Sequence, residues 1–121
     1  MRFTILFFCA AALLALPTVA AAQETGSPLR INWKTNEVEC SITNDRPTAQ
    51  TTTLNLHDQT GAIRGTTTGT VNPNGILRLS VNAYTIGWGT SVFCRATNNI
   101  GEIAICLWNG VTDPYLCLSD D

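Results

Sequence analysis

From Leu29 onward, apolar and polar residues alternate with a period of two, and no stretch shows helical periodicity. Leu29, Ile31 and Trp33 alternate with Arg30, Asn32 and Lys34, which predicts a half-buried strand with Trp33 facing inward. A polar turn around Thr35 and Asn36 leads to a second strand, with Val38, Cys40 and Ile42 inside and Glu37, Glu39 and Ser41 outside. Asn44-Asp45-Arg46-Pro47 ends it, because proline cannot donate to a sheet ladder and disfavours helix before it. A third strand is expected over residues 49–57, with Thr52, Leu54 and Leu56 sharing a face. Asp58-Gln59-Thr60-Gly61 reads as a hairpin turn, and the return strand over residues 62–71 is weak, interrupted by Gly65 and Gly69. Its threonines suit a solvent-facing edge.

Asn72-Pro73-Asn74-Gly75 is a stronger turn, with proline in its preferred second place. Leu77, Leu79 and Val81 then alternate with Arg78 and Ser80. A glycine-rich connection over residues 84–89 precedes a strand with Val92, Cys94 and Ala96 on one face. Residues 102–108 are apolar on both sides, which predicts a central strand, and a last short strand is expected near residues 115–118. Seven or eight short strands with regular turn signals predict an all-β, antiparallel two-sheet sandwich, with a closed barrel as the second architecture. Residues 23–28 read as a loose start.

The first 22 residues differ in kind. Met1 and Arg2 are followed by an apolar run over residues 3–16, then Pro17 and the small residues Ala20-Ala21-Ala22. This is the pattern of an export signal, cut after Ala22 or, alternatively, Ala21, and too short to span a bilayer. Cys9 falls within that run, without the small residues before it that a lipidation site requires. The expectation is a signal peptide over 1–22 and a single β-sandwich domain over 23–121, secreted or periplasmic, with no membrane span once the signal is removed. Without Arg2 the mature formal charge is −3, against −2 for the whole chain. The remaining basic residues are scattered singly from Arg30 to Arg95, so no nucleic-acid footprint is present.

Cys40, Cys94, Cys106 and Cys117 remain in the exported part, where disulfides persist. Four cysteines permit three pairings. Cys40 and Cys94 both point inward, which suits a bridge between facing sheets, with Cys106–Cys117 closing the C-terminal segment. The rival joins Cys94 to Cys106 across a hairpin and Cys40 to Cys117. Trp108 and Tyr115 bracket the last bridge of the first scheme and are expected to pack on it.

Cys40 to Asn44, a threonine-rich strand ending in Asp58 to Gly61, Pro73 to Gly75 and Phe93-Cys94-Arg95 occur in this order. In this arrangement the chain resembles a loose group of short exported bacterial β-sandwich proteins of unknown function. That resemblance implies no catalytic residues. The chain also resembles an immunoglobulin-type sandwich in its inward cysteine pair. It departs from antibody domains in that Trp33 precedes Cys40 and Val92 stands where a corner tyrosine is expected.

Catalytic candidates are sparse. His57 is the only histidine, and Asp58 beside it would face the opposite side of a strand; no Gly-x-Ser-x-Gly element supplies a nucleophile. His57 therefore reads as a surface residue at a hairpin end. Glu37 and Glu39 share a strand face, the spacing of an ordinary solvated edge as well as of a carboxylate pair. Asp120 and Asp121 read as a frayed acidic end. No Cys-x-x-Cys occurs and no calcium loop, so neither metal nor cofactor is expected.

Trp88 lies between Gly87 and Gly89, with Tyr84 four residues earlier, in a connection rather than a strand. Such aromatics form a platform for a protein or glycan partner, or cap the open end of a sandwich. The expected function is a non-catalytic binding or structural module with Tyr84 and Trp88 as ligand contacts. The alternatives are a small secreted hydrolase or hydrolase inhibitor, and an accessory subunit that pairs through the edge strand near residues 65–70.

Overall fold

The computed structural model describes residues 23–24, 28–110 and 114–119. The expected export signal over 1–22 and the acidic end at Asp120 and Asp121 lie outside these residues, as does the side chain of Tyr115. The strands are β1 (Gln23–Glu24), β2 (Leu29–Arg30), β3 (Glu37–Thr43), β4 (Gln50–Asp58), β5 (Ile63–Val71), β6 (Ile76–Asn82), β7 (Ser91–Ala96), β8 (Ile103–Trp108) and β9 (Pro114–Ser119). One antiparallel sheet runs β1-β7-β4-β5, with β2 also on β7; the other runs β6-β3-β8-β9. Because β1 and β2 pair in turn with one strand, they act as one broken edge strand, and the molecule is a sandwich of four positions facing four. Within the start expected to be loose, Gln23 pairs opposite Ala96 and Glu24 opposite Arg95, while residues 25–27 lie outside the described residues.

The period-two pattern works out as predicted at the centre. Val38, Cys40 and Ile42 of β3 and Ile103, Ile105 and Leu107 of β8 are fully buried against Leu54 and Leu56 of β4 and Val92, Cys94 and Ala96 of β7. Each large aliphatic side chain so buried contributes about 1.5–3 kcal/mol relative to exposure. β8 is central in its sheet, between β3 and β9. Only one of its faces lies in the core, since Ala104, Cys106 and Trp108 are half-buried.

Cys40 and Cys94 are bonded across the core, and Cys106 is bonded to Cys117, so the rival pairing is excluded. The first bridge joins β3 of one sheet to β7 of the other. The second links residues directly opposite in the β8–β9 ladder, on the outer face of their sheet. Counting β1 and β2 as one strand, the buried bridge joins the second strand to the sixth, as in immunoglobulin domains. The connectivity departs from theirs at β8, which pairs with β3 instead of extending the β7 sheet.

Two expectations are corrected. The strand predicted through Lys34 ends at Arg30, because Asn32 closes a turn: Thr35 N donates to Asn32 O at 3.0 Å and Lys34 N to Asn32 Oδ1 at 2.9 Å. Such side-chain bonds compete with the sheet ladder. Ile31 remains buried, but Trp33, predicted to face inward, is 67% exposed at the tip of that turn. Second, Gly65 and Gly69 do not end β5, which runs for nine residues with one register shift against β4 at Arg64. They lie on its inner face, where a Cβ on Gly69 would meet Leu77 Cδ1 at 3.0 Å. The missing side chains let the β6 row of Leu77, Leu79 and Val81 approach. Asn72 to Gly75 makes the crossing between these edges, with Gly75 N donating to Asn72 O at 2.8 Å and Asn74 at φ 64°. A positive φ at the third place after proline is a type II turn.

Candidate functional site

The two ends of the sandwich are built differently. At one end, Asn44 is fully buried and serves as a hub. Its Nδ2 donates to Val71 O at 2.8 Å and to Thr48 O at 3.0 Å, while its Oδ1 accepts from Arg46 N at 2.9 Å. Its backbone bonds Gly75 and Asn74, and Asp45 N donates to Ile100 O, so three loops are stitched together. This end is closed.

The opposite end collects residues 31–36, 59–62 and 83–90, and it carries Trp33, Tyr84 and Trp88, exposed by 67%, 62% and 62%. These loops are ordered by polar contacts. Asn82 caps a short 3-10 turn, Ala83–Thr85, by accepting from Tyr84 N at 2.9 Å. The Tyr84 hydroxyl donates to Asn36 Oδ1 at 3.2 Å, and Ala83 N donates to Asn36 O at 2.9 Å. Trp88 stands between Gly87 at φ 106° and Gly89 at φ 82°, left-handed positions that favour glycine. Gly89 N donates to Ile31 O at 2.6 Å, which fixes this loop beside the Trp33 turn. Lys34 Nζ lies 5.3 Å from the Trp33 ring centroid, in cation–π range. Sequence reasoning picked out Tyr84 and Trp88 and missed Trp33. The signal that marks it is Asn32, a turn-former inside an apparently alternating run.

Arg64 ties the hairpin to this end, with Nη2 donating to Thr85 O at 2.6 Å and Nη1 lying 3.4 Å from Asp58 Oδ2. Asp58 Oδ1 accepts from Thr60 Oγ1 at 2.5 Å, Thr60 N at 2.8 Å and Ala62 N at 3.2 Å. The Thr60 hydroxyl, the two amides and the Arg64 charge hold its carboxyl below the usual carboxylate range, against the opposing effect of burial.

The expected surface histidine is not one. His57 is 7% exposed, because Phe93, its register partner on β7, covers the ring at a centroid distance of 5.0 Å and a plane angle of 8°. Nδ1 is 3.0 Å from Gly61 O and donates to it, since a carbonyl oxygen only accepts. Nε2 is buried without a partner. Glu37 and Glu39 are also corrected: β3 is flanked by β6 and β8, so they lie half-buried on the face of a central strand, not on a solvated edge. The exposed threonines pair with each other, Thr51 with Thr70 and Thr53 with Thr68, both at 2.8 Å. Among the described residues, no group of three or more His, Cys, Asp or Glu is placed to hold a metal ion. No helix among them is long and apolar enough to cross a membrane.

No family model and no curated protein matches the chain. Among solved structures, the Thermotoga maritima protein 1070 is similar at TM-score 0.49 and 12% identity, over 85% of this chain and 92% of that one. The Anabaena sensory rhodopsin transducer is similar at TM-score 0.43 and 13% identity, over 80% and 94%. FlgD from P. aeruginosa is similar at TM-score 0.38 and 9% identity, over 84% and 71%. At such values these likenesses bear on neither function nor partners.

Proposed function

We propose that the chain is an exported binding module without catalytic chemistry, secreted or periplasmic, which contacts a protein or glycan partner through its Trp33, Tyr84 and Trp88 end. The observation that supports this most is the gathering of three exposed aromatic side chains at one end of the sandwich, while the other end is closed around Asn44. Tyrosine and tryptophan supply large contact area at little conformational cost and dominate interface energetics. Two disulfides fit an oxidising compartment. The hydrolase alternative is weakened by the buried, stacked His57.

The test is a glycan array and a pull-down from the native host with the wild-type protein and Trp88→Ala. Binding that falls about tenfold or more on substitution supports this site; unchanged binding removes it. A second reading, pairing through an edge strand, draws on the place of β5 at the end of its sheet. A proline at Thr68 that abolishes capture while Trp88→Ala leaves it intact would select that reading.

A further inference from the structure

The outer face of the β6-β3-β8-β9 sheet carries a depression of about 340 Å³ bordered by Glu37, Glu39, Arg78 and Trp108. A second, of about 230 Å³, shares Glu37 and extends to Asn36 and Asn82. Asn36 accepts the Tyr84 hydroxyl and Asn82 caps the Tyr84 turn, so this trough opens onto the aromatic end. Register explains the assembly. Glu37 lies between Asn82 and Trp108 on the neighbouring strands, and Glu39 lies between Ser80 and Cys106.

Asn36 and Asn82 serve the fold, whereas the charged groups of the trough do not. Among the described residues, the side chains of Glu37, Glu39 and Arg78 make no hydrogen bond and no ion pair. The Trp108 ring borders the depression, while its Nε1 is buried and has no partner.

We propose that this trough is a subsite for a neutral oligosaccharide, an inference that rests on the binding-module reading and names its ligand class. Carboxylates only accept hydrogen bonds, whereas guanidinium and indole N–H groups only donate. A sugar hydroxyl does both, so adjacent hydroxyls donate to Glu37 or Glu39 and accept from Arg78. The two carboxylates project from positions about 7 Å apart along the strand, which lets each take a different hydroxyl. Carboxylate and guanidinium side by side disfavour a strongly charged ligand of either sign. The Trp108 ring supplies the apolar wall that the C–H face of a sugar needs.

The experiment is a ¹H–¹⁵N titration of the exported, oxidised protein, reading the indole N–H signals of its three tryptophans, assigned by Trp→Phe variants. The probes are maltohexaose, cellohexaose, laminarihexaose and chitohexaose, with calcium chloride as a separate arm. The expected result is a saturable shift of the Trp108 signal with at least one hexaose. Its affinity should fall about tenfold or more in Glu39→Ala and in Arg78→Ala. Both positions are on the outer face, and retention of the amide spectrum and of both disulfides shows that the variants fold. Shifts confined to Trp33 and Trp88 overturn the subsite and leave the loop-end reading standing. A Trp108 response to calcium but to no hexaose overturns it in favour of a cation. No Trp108 response to any probe overturns it outright.

Discussion

Gly65 of one sheet faces Val81 of the other so closely that a Cβ on the glycine would stand 2.5 Å from the valine Cγ2. The neighbour is a stiff β-branched side chain, so it cannot swing aside. Gly65→Ala gains about 0.5–1 kcal/mol through the unfolded chain but forces the two edges apart, at a cost of about 1–3 kcal/mol. Net destabilisation by urea denaturation is expected. Val81→Ala in the same chain should recover part of it, which appears as coupling in a double-mutant cycle.

Cys40–Cys94 closes a separation of 54 residues and Cys106–Cys117 one of 11. Loop entropy assigns them about 4 and about 3 kcal/mol, so replacing the first pair by alanine should cost more, increased further by the cavity left in the core. Cys40 and Cys94 are fully buried, while Cys117 is exposed. Graded reduction followed by thiol labelling and peptide mapping should therefore mark Cys106 and Cys117 first. Earlier labelling of Cys40 would contradict this order.

Asn44→Ala leaves the carbonyls of Val71 and Thr48 without their side-chain donor inside the closed end. About 2–3 kcal/mol of stability should be lost, because unmet buried polar groups carry their full desolvation penalty. A loss below about 0.5 kcal/mol in chemical denaturation would show that the hub is replaceable.

The Asp58 carboxyl is held below its ordinary value of 3.8 by Thr60, Ala62 and Arg64. A folded value lower than the unfolded one stabilises the charged native state fully above the unfolded pKa. That stabilisation disappears as pH falls through the folded value. Thermal unfolding should thus show a stability loss beginning below about pH 4. Asp58→Asn should flatten this acid limb while retaining a turn acceptor, and an unchanged limb would assign it to other carboxylates.

Much of the fold was legible along the chain. The inward sets Val38, Cys40, Ile42 and Val92, Cys94, Ala96 obey the period of two, and both emerge fully buried. The turns at residues 58–61 and 72–75 carry the residues their geometry demands. Trp33 was misplaced because alternation does not register that Asn32 offers its own backbone a competing bond. His57 was misplaced because the aromatic that covers it, Phe93, is 36 residues away and becomes its neighbour only through register. The unpartnered state of Glu37, Glu39 and Arg78 had no signature in the sequence, since partnership is a matter of distance across strands.

By itself, the sequence determined the class of architecture, the inward cysteine pair and the aromatic character of one loop, all of which are local periodicity or residue chemistry. The tertiary structure decided the strand order, the exclusion of the rival bridges, the gathering of Trp33 with Tyr84 and Trp88, and the trough on the outer face of the β6-β3-β8-β9 sheet. These depend on which strands become neighbours. That choice is made by burial and hydrogen bonding summed over the whole sandwich, and no window of the chain contains it.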